Sequence, residues 1–272
     1  MLSPNWSTMR DGQYRDNLRL ILDFRPMAGL LETVLLASAA TLAPLLIGLS
    51  GGYLLRSKPF NASLPVLTAI AAGVISWFFL DVMGDSTLLG ISEGLGGGTS
   101  HLLLILLFPV GLLTMVFLDA RSQTHSPMNL VYLAALAVGF HGVAEGIAIG
   151  SGLSPASDVF AAIGGATVAE SFVIHKALEG FAISIFLLAK GIRKKTIITV
   201  LAAGLPTILG ALIGFVFSPD SSYFFALGGG AALWLLTVLI QRSLSLTNRT
   251  VWAIALLLGF LLLYSAGLLH SV

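Results

Sequence analysis

The sequence of 272 residues contains no cysteine and carries few charges. The absence of cysteine excludes disulfide bonds, thiolate metal sites and cysteine nucleophiles. Lysine, arginine, aspartate and glutamate together make up 10% of the residues, whereas average soluble domains carry about a quarter. Hydrophobic residues make up 56%. A composition this apolar predicts a protein whose partner is the lipid bilayer.

The scarcity of charge leaves long apolar runs, and a membrane-spanning helix needs roughly 20 mainly apolar residues. Eight such segments lie near residues 31–55, 62–83, 101–118, 129–150, 159–189, 196–217, 223–240 and 250–270. The sequence therefore predicts an all-α membrane protein with eight transmembrane helices in a single domain, residues 29–272. The net charge of +1 gives no indication of a nucleic-acid partner.

We expect residues 1–28 to form a separate N-terminal segment. The stretch YRDNLRLILDFR at 14–25 mixes charged and apolar residues. It is typical of an amphipathic helix on the membrane surface, and a disordered tail is the alternative.

The positions of lysine and arginine predict the orientation in the cell membrane. These residues cluster in the loops after the first, third, fifth and seventh segments and are missing from the loops after the second, fourth and sixth. Cytoplasmic loops carry an excess of positive charge. We therefore expect the odd-numbered loops to be cytoplasmic and both termini to be extracytoplasmic.

Ionisable side chains within the apolar segments are the strongest functional signal. A charge at the centre of a bilayer costs at least ~2.5 kcal/mol, so such residues usually serve a function. The candidates are Asp81, His141, Glu145, Glu170, His175, Lys176 and Glu179.

Five of these residues fall in two related stretches, HGVAEGIAIG at 141–150 and HKALEGFAIS at 175–184. Histidine and glutamate at i and i+4 share one helix face, about 6 Å apart along the axis. Imidazole nitrogen and carboxylate oxygen suit a first-row metal ion, so two pairs would supply four ligands. The short connection between the segments predicts antiparallel neighbours, and the glycine after each glutamate permits close helix approach. The alternative is a structural, hydrogen-bonded pair on each helix.

The two motifs resemble the fourth and fifth transmembrane helices of the ZIP (ZRT/IRT-like) family of divalent-metal transporters. The resemblance implies a 3+2+3 bundle in which spans 1–3 and 6–8 form inverted repeats around spans 4 and 5. It implies metal ligands at His141, Glu145, His175 and Glu179, transport without covalent chemistry, no organic cofactor, and a possible homodimer.

The sequence departs from the family pattern where bacterial members bind a second metal ion. Those positions hold Gly142, Lys176 and Thr207, none of which supplies the expected ligand. We therefore expect a mononuclear site in which the ammonium group of Lys176 stands in place of the second metal. The alternative is that Lys176 turns away and extends to the membrane interface.

Three further residues are candidates for the route to this site. Asp81 and Met83, late in the second segment, are possible weak intermediate ligands, although an interfacial position for Asp81 is an equal alternative. Glu170 lies about half a turn around the helix from Glu179, so we expect it to face another helix or the pore mouth.

The predicted ligand set narrows the choice of metal. Two imidazoles and two carboxylates without sulfur suit Zn²⁺, Fe²⁺, Mn²⁺, Co²⁺ or Cd²⁺ and disfavour Cu⁺. Zinc is the best single candidate because it readily accepts four nitrogen and oxygen ligands.

Two other functions stay open at this point. One is a membrane metal sensor or binding protein that does not transport. The other is an intramembrane zinc hydrolase, but the sequence contains no HExxH motif and both acids near the histidines are assigned as ligands. A hydrolase would also need an open coordination position and a general base.

Overall fold

A computed structural model of the chain provides the structure. The described residues are 27–57, 62–93, 98–122, 127–153, 166–190, 196–244 and 248–268. Within them the chain forms eight α-helices and no strand. These are α1 (Met27–Arg56), α2 (Leu64–Glu93), α3 (Gly98–Ser122), α4 (Pro127–Gly152), α5 (Ala166–Lys190), α6 (Thr196–Phe217), α7 (Ser222–Ser243) and α8 (Arg249–Gly267). The prediction of an all-α protein with eight transmembrane helices is confirmed.

The predicted segments match the helices closely, with one informative exception, and residues 159–165 of the fifth segment lie outside the described residues. Helix α2 continues about ten residues past the predicted end, although its apolar part is Leu64–Gly84. The sequence GDSTLLGISE that follows contains no proline, so the helix does not stop where the apolar run stops. Residues 1–26 lie outside the described residues, so the expectation for the N-terminal segment stays a prediction.

Burial separates central helices from peripheral ones. In α4 and α5, 72% and 61% of the span is buried, against 11% in α3 and 22% in α8. Many leucine, isoleucine and valine side chains on the outer faces are exposed, such as Ile105 and Leu113 on α3. An outer surface this apolar requires a lipid surrounding. The helices that carry the two histidine motifs are therefore the centre of the bundle.

The helix packing is symmetric. Helix α1 packs on α5 as α6 packs on α4, and α2 packs on α8 as α7 packs on α3. Helices α1 and α6 also contact each other, as do α2 and α7. If α1, α2 and α3 are exchanged with α6, α7 and α8 in that order, and α4 with α5, each of these contacts becomes another contact of the same set. Because successive spans alternate in direction, exchanged helices run oppositely, and the packing agrees with inverted repeats around α4 and α5.

A sequence repeat underlies this symmetry. Helix α1 carries proline and glycine with the spacing P-x₃-G-x₃-G over residues 44–52, and α6 carries the same spacing over 206–214. Gly48 lies against the backbone of Ala177 on α5, and Gly210 lies against the backbone of Val143 on α4. Ala177 and Val143 each follow their motif histidine by two residues. The two P-x₃-G-x₃-G segments therefore pack against equivalent positions of the two histidine motifs.

The glycines that follow the motif glutamates have matching roles. Gly146 of α4 lies against the backbone of Thr207 on α6, and Gly180 of α5 lies against the backbone of Leu45 on α1. Close approach thus occurs between α4 and α6 and between α5 and α1. Helices α4 and α5 do contact each other, but less extensively than either contacts these partners.

We predict that Gly48→Ala destabilises the protein and Gly51→Ala does not. A Cβ at Gly48 would overlap the carbonyl oxygen of Ala177, whereas a Cβ at Gly51 would meet nothing within 4 Å. Overpacking of this kind typically costs about 1–3 kcal/mol, while alanine in an open helical position gains up to about 1 kcal/mol. Thermal unfolding of both variants in detergent measures the difference. Equal melting temperatures would contradict the close contact between α1 and α5.

Candidate metal centre

The site is built from equivalent positions of α4 and α5. His141 and Glu145 lie one turn apart on α4, with Nε2 of the histidine 3.2 Å from Oε1 of the glutamate. His175 and Glu179 repeat this on α5, with the same two atoms 3.1 Å apart. All four side chains are buried. The i, i+4 spacing therefore places each pair on one helix face, as predicted.

The two pairs converge at the centre of the bundle. One potential ligand atom from each of the four residues lies within 4.8 Å of all the others. Ligands of a tetrahedral zinc ion lie about 2.0–2.2 Å from the metal, hence roughly 3.3 Å from one another. The pairs within each helix already have this spacing. A small closing movement between the helices would place all four atoms around one ion.

Several polar atoms of this cluster have no hydrogen-bond partner among the described residues. Apart from Oε2 of Glu145, which is ion-paired with Lys176, they are Nδ1 and Nε2 of His141, Nε2 of His175 and Oε1 of Glu179. The two Nε2 atoms lie 3.2 and 3.1 Å from the glutamate of their own helix without forming a hydrogen bond to it. A buried polar atom without a partner typically costs about 1–3 kcal/mol. Such atoms gathered at one point therefore indicate lone pairs available to a ligand.

Lys176 joins the two glutamates. Its Nζ donates a hydrogen bond to Oε2 of Glu179 at 2.8 Å and forms an ion pair with Oε2 of Glu145. The lysine is 1% exposed, so its side chain stays inside the bundle and does not extend to the membrane interface. Each glutamate thus points Oε1 toward its own histidine and Oε2 toward the shared ammonium group.

Aromatic side chains from neighbouring helices enclose the histidines. The ring of Phe78 on α2 makes edge contacts with His141 and His175, at centroid distances of 4.5 and 5.5 Å. Phe225 on α7 contacts His141 at 5.3 Å. The two imidazole rings themselves lie nearly parallel, 5.8 Å apart. Phe78 is fully buried and belongs to the hydrophobic core, so the core packs directly against both imidazole rings.

These aromatic neighbours could not be identified from the sequence. Phe78 lies within an ordinary apolar run and is one of 16 phenylalanines in the chain. No charge or spacing distinguishes it from the others, and only helix packing brings it to the site.

Asp81 lies at the edge of the site. Its Oδ2 is 3.9 Å from Nδ1 of His175, and its side chain is 32% exposed. This separation is too long for a hydrogen bond, so the contact is electrostatic only. His141 has no hydrogen-bond partner on either nitrogen among the described residues. The two histidines therefore differ in their outer contacts.

The remaining predicted residues lie around the cluster. Thr207 on α6 is buried, its hydroxyl oxygen lies beside Gly142, and it has no hydrogen-bond partner among the described residues. Met83 lies beside Gly229 of α7 and is outside the four-residue group. Glu170 is exposed and also outside that group.

Comparisons with known proteins identify no family. A scan against protein-family models finds no match, and a search of curated proteins finds none either. Eight membrane-spanning helices around a buried histidine–glutamate cluster fit a multi-pass membrane protein that binds a metal ion.

We predict that Glu179→Gln lowers the affinity for Zn²⁺ by more than about 100-fold. Loss of an outer-shell partner alone typically costs 10–100-fold, and this change removes a proposed ligand and its charge. Calorimetry on the purified protein in detergent measures the affinity.

Glu170→Gln is the matched control, since it makes the same chemical change at an exposed position of the same helix. It should bind Zn²⁺ as the wild type does. Equal weakening by both substitutions would show that the cluster is not the binding site.

Proposed function

We propose that the protein transports a divalent transition-metal cation across the membrane through the site between α4 and α5. The single observation that carries the proposal is the convergence of four buried ligand atoms on the two most buried spans. Charged groups at this depth are costly and commonly mark an ion pathway. An apolar core would stabilise the bundle at lower cost, so a purely structural role gives no reason for the cluster.

The donor set supports zinc as the best single candidate. Two imidazole nitrogens and two carboxylate oxygens match four-coordinate Zn²⁺. Fe²⁺, Mn²⁺, Co²⁺ and Cd²⁺ are further candidates for this mixture of nitrogen and oxygen.

Lys176 supports a site for one ion. An ammonium group about 6–7 Å from a dication contributes roughly 5 kcal/mol of raw repulsion at an effective dielectric of 20. Two ionised glutamates offset this for one metal ion between the histidines. A second dication would have to displace the ammonium group from both carboxylates, which are its partners in the structure.

The resemblance to ZIP transporters adds to the proposal. The ligand positions that it implies are the residues that converge here, and the symmetric packing has the implied 3+2+3 form. By the same resemblance we propose a homodimer in the cell membrane. The distribution of lysine and arginine supports extracytoplasmic termini.

A hydrolytic function has less support than transport. A zinc hydrolase needs a general base that is not a metal ligand. Both glutamates of the cluster contact a histidine and Lys176, which leaves neither available for that role. We therefore propose that the protein is not an enzyme.

Metal uptake into proteoliposomes tests transport directly. We expect the wild type to accumulate ⁶⁵Zn²⁺, and Glu145→Ala and Glu179→Ala to reduce the initial rate at least about tenfold, because each removes a ligand. Glu32→Ala makes the same change at an exposed position of α1; it is the control and should leave the rate unchanged.

Flux unaffected by either ligand substitution would overturn the assignment of the pathway. Zinc binding without any flux in the wild type would instead favour a membrane metal sensor.

A further inference from the structure

Each of the two glutamates contacts a different kind of partner through each of its carboxylate oxygens. Oε1 of Glu145 and Oε1 of Glu179 lie 3.2 and 3.1 Å from their histidines. Both Oε2 atoms contact Nζ of Lys176. Each carboxylate oxygen has two lone pairs, but an oxygen that binds an ammonium group would hold a dication close to that positive charge, so the other oxygen is the favoured metal ligand.

This arrangement of the oxygens limits the number of ligand atoms that the four residues supply. If each glutamate contributes one oxygen and each histidine one nitrogen, the four residues supply four ligand atoms. Zn²⁺ readily accepts four such ligands in a tetrahedral arrangement. Carboxylates and other oxygen ligands in larger number suit Mn²⁺, and Ca²⁺ takes 6–8 oxygens, often from bidentate carboxylates.

The ammonium group has little alternative to this position. Lys176 is 1% exposed, and its Nζ also lies 5.7 Å from the ring centre of Phe172, within range of a cation–π contact. Leaving both carboxylates would put an unpaired ammonium group among apolar side chains, at a large cost. The equivalent position on α4 is Gly142, which contributes no side chain. One lysine therefore holds the glutamates of both helices.

We infer that Lys176 is a specificity-determining residue, which restricts both glutamates to one metal-binding oxygen each and thereby selects divalent ions that accept four ligands. Zn²⁺ and Co²⁺ belong to this class, whereas Mn²⁺, which the mixture of nitrogen and oxygen alone would admit, does not. The inference rests on the proposed function, because it presumes that the cluster binds the transported ion.

The absorption spectrum of bound Co²⁺ tests the inference without any substitution. Tetrahedral Co²⁺ absorbs visible light much more strongly than six-coordinate Co²⁺. We expect the intense tetrahedral bands from the wild-type protein in detergent. Weak six-coordinate bands would overturn the inference while leaving the metal site, and so the proposed function, in place. A wild type that binds neither Co²⁺ nor Zn²⁺ would overturn both.

Lys176→Met tests the role of the ammonium group itself. Methionine removes the charge and frees both Oε2 atoms. We expect weaker, higher-coordinate Co²⁺ bands and a rise of about tenfold in the affinity for Mn²⁺ relative to Zn²⁺. Lys190→Met, at the last residue of the same helix, is the matched control and should change neither quantity.

Lys176→Arg provides the conservative comparison. A guanidinium group also binds two carboxylate oxygens, so this variant should keep the tetrahedral spectrum and the wild-type preference for Zn²⁺. An unchanged spectrum and unchanged Mn²⁺ to Zn²⁺ ratio in Lys176→Met would overturn the inference. If that variant does not fold, Lys176→Gln also removes the charge and is measured in its place, with the same expected and contradicting results.

Discussion

The ion-pair contact between one buried ammonium group and two buried carboxylates is the interaction on which the centre of this bundle depends. Helices α4 and α5 contact each other less extensively than they contact α6 and α1. The side chain of Lys176 bridges α4 and α5, because it extends from α5 and binds Glu145 on α4 as well as Glu179 on its own helix. Removal of one partner from a buried ion pair typically costs about 3–5 kcal/mol. The same contact therefore joins the two motif helices and determines which carboxylate oxygens remain for a metal ion.

Glycine determines how the surrounding helices hold this pair in place. Gly146 and Gly180 allow the two motif helices to pack closely against α6 and α1. In the same two contacts, Gly210 of α6 and Gly48 of α1 lie against the backbone of the motif helices. Without a hydrophobic effect between helices in lipid, such close backbone contact is a main source of helix association. The frame is symmetric, but the site within it is not, since Gly142 and Lys176 occupy equivalent positions.

The helices and the four-residue cluster were predictable from the sequence because each has a local signature. The lengths of the apolar segments predicted the membrane spans, and a histidine followed by a glutamate at i+4 predicted each half of the cluster. The position of Phe78 was not predictable, because contact between distant helices brings it to the histidines. The short connection predicted that the motif helices are antiparallel neighbours, and they do contact each other, but the glycines bring them into closer contact with α6 and α1. The P-x₃-G-x₃-G spacing shared by α1 and α6 was a readable signal of that pairing.

The number and position of bound ions test the central claim most directly. Anomalous scattering at the zinc absorption edge from zinc-soaked crystals locates every bound ion. The account predicts one strong peak per chain between His141, Glu145, His175 and Glu179, with the ammonium group of Lys176 still against the two Oε2 atoms. Two adjacent peaks, with Lys176 displaced from the carboxylates, or no peak between the four residues at saturating zinc, would contradict it.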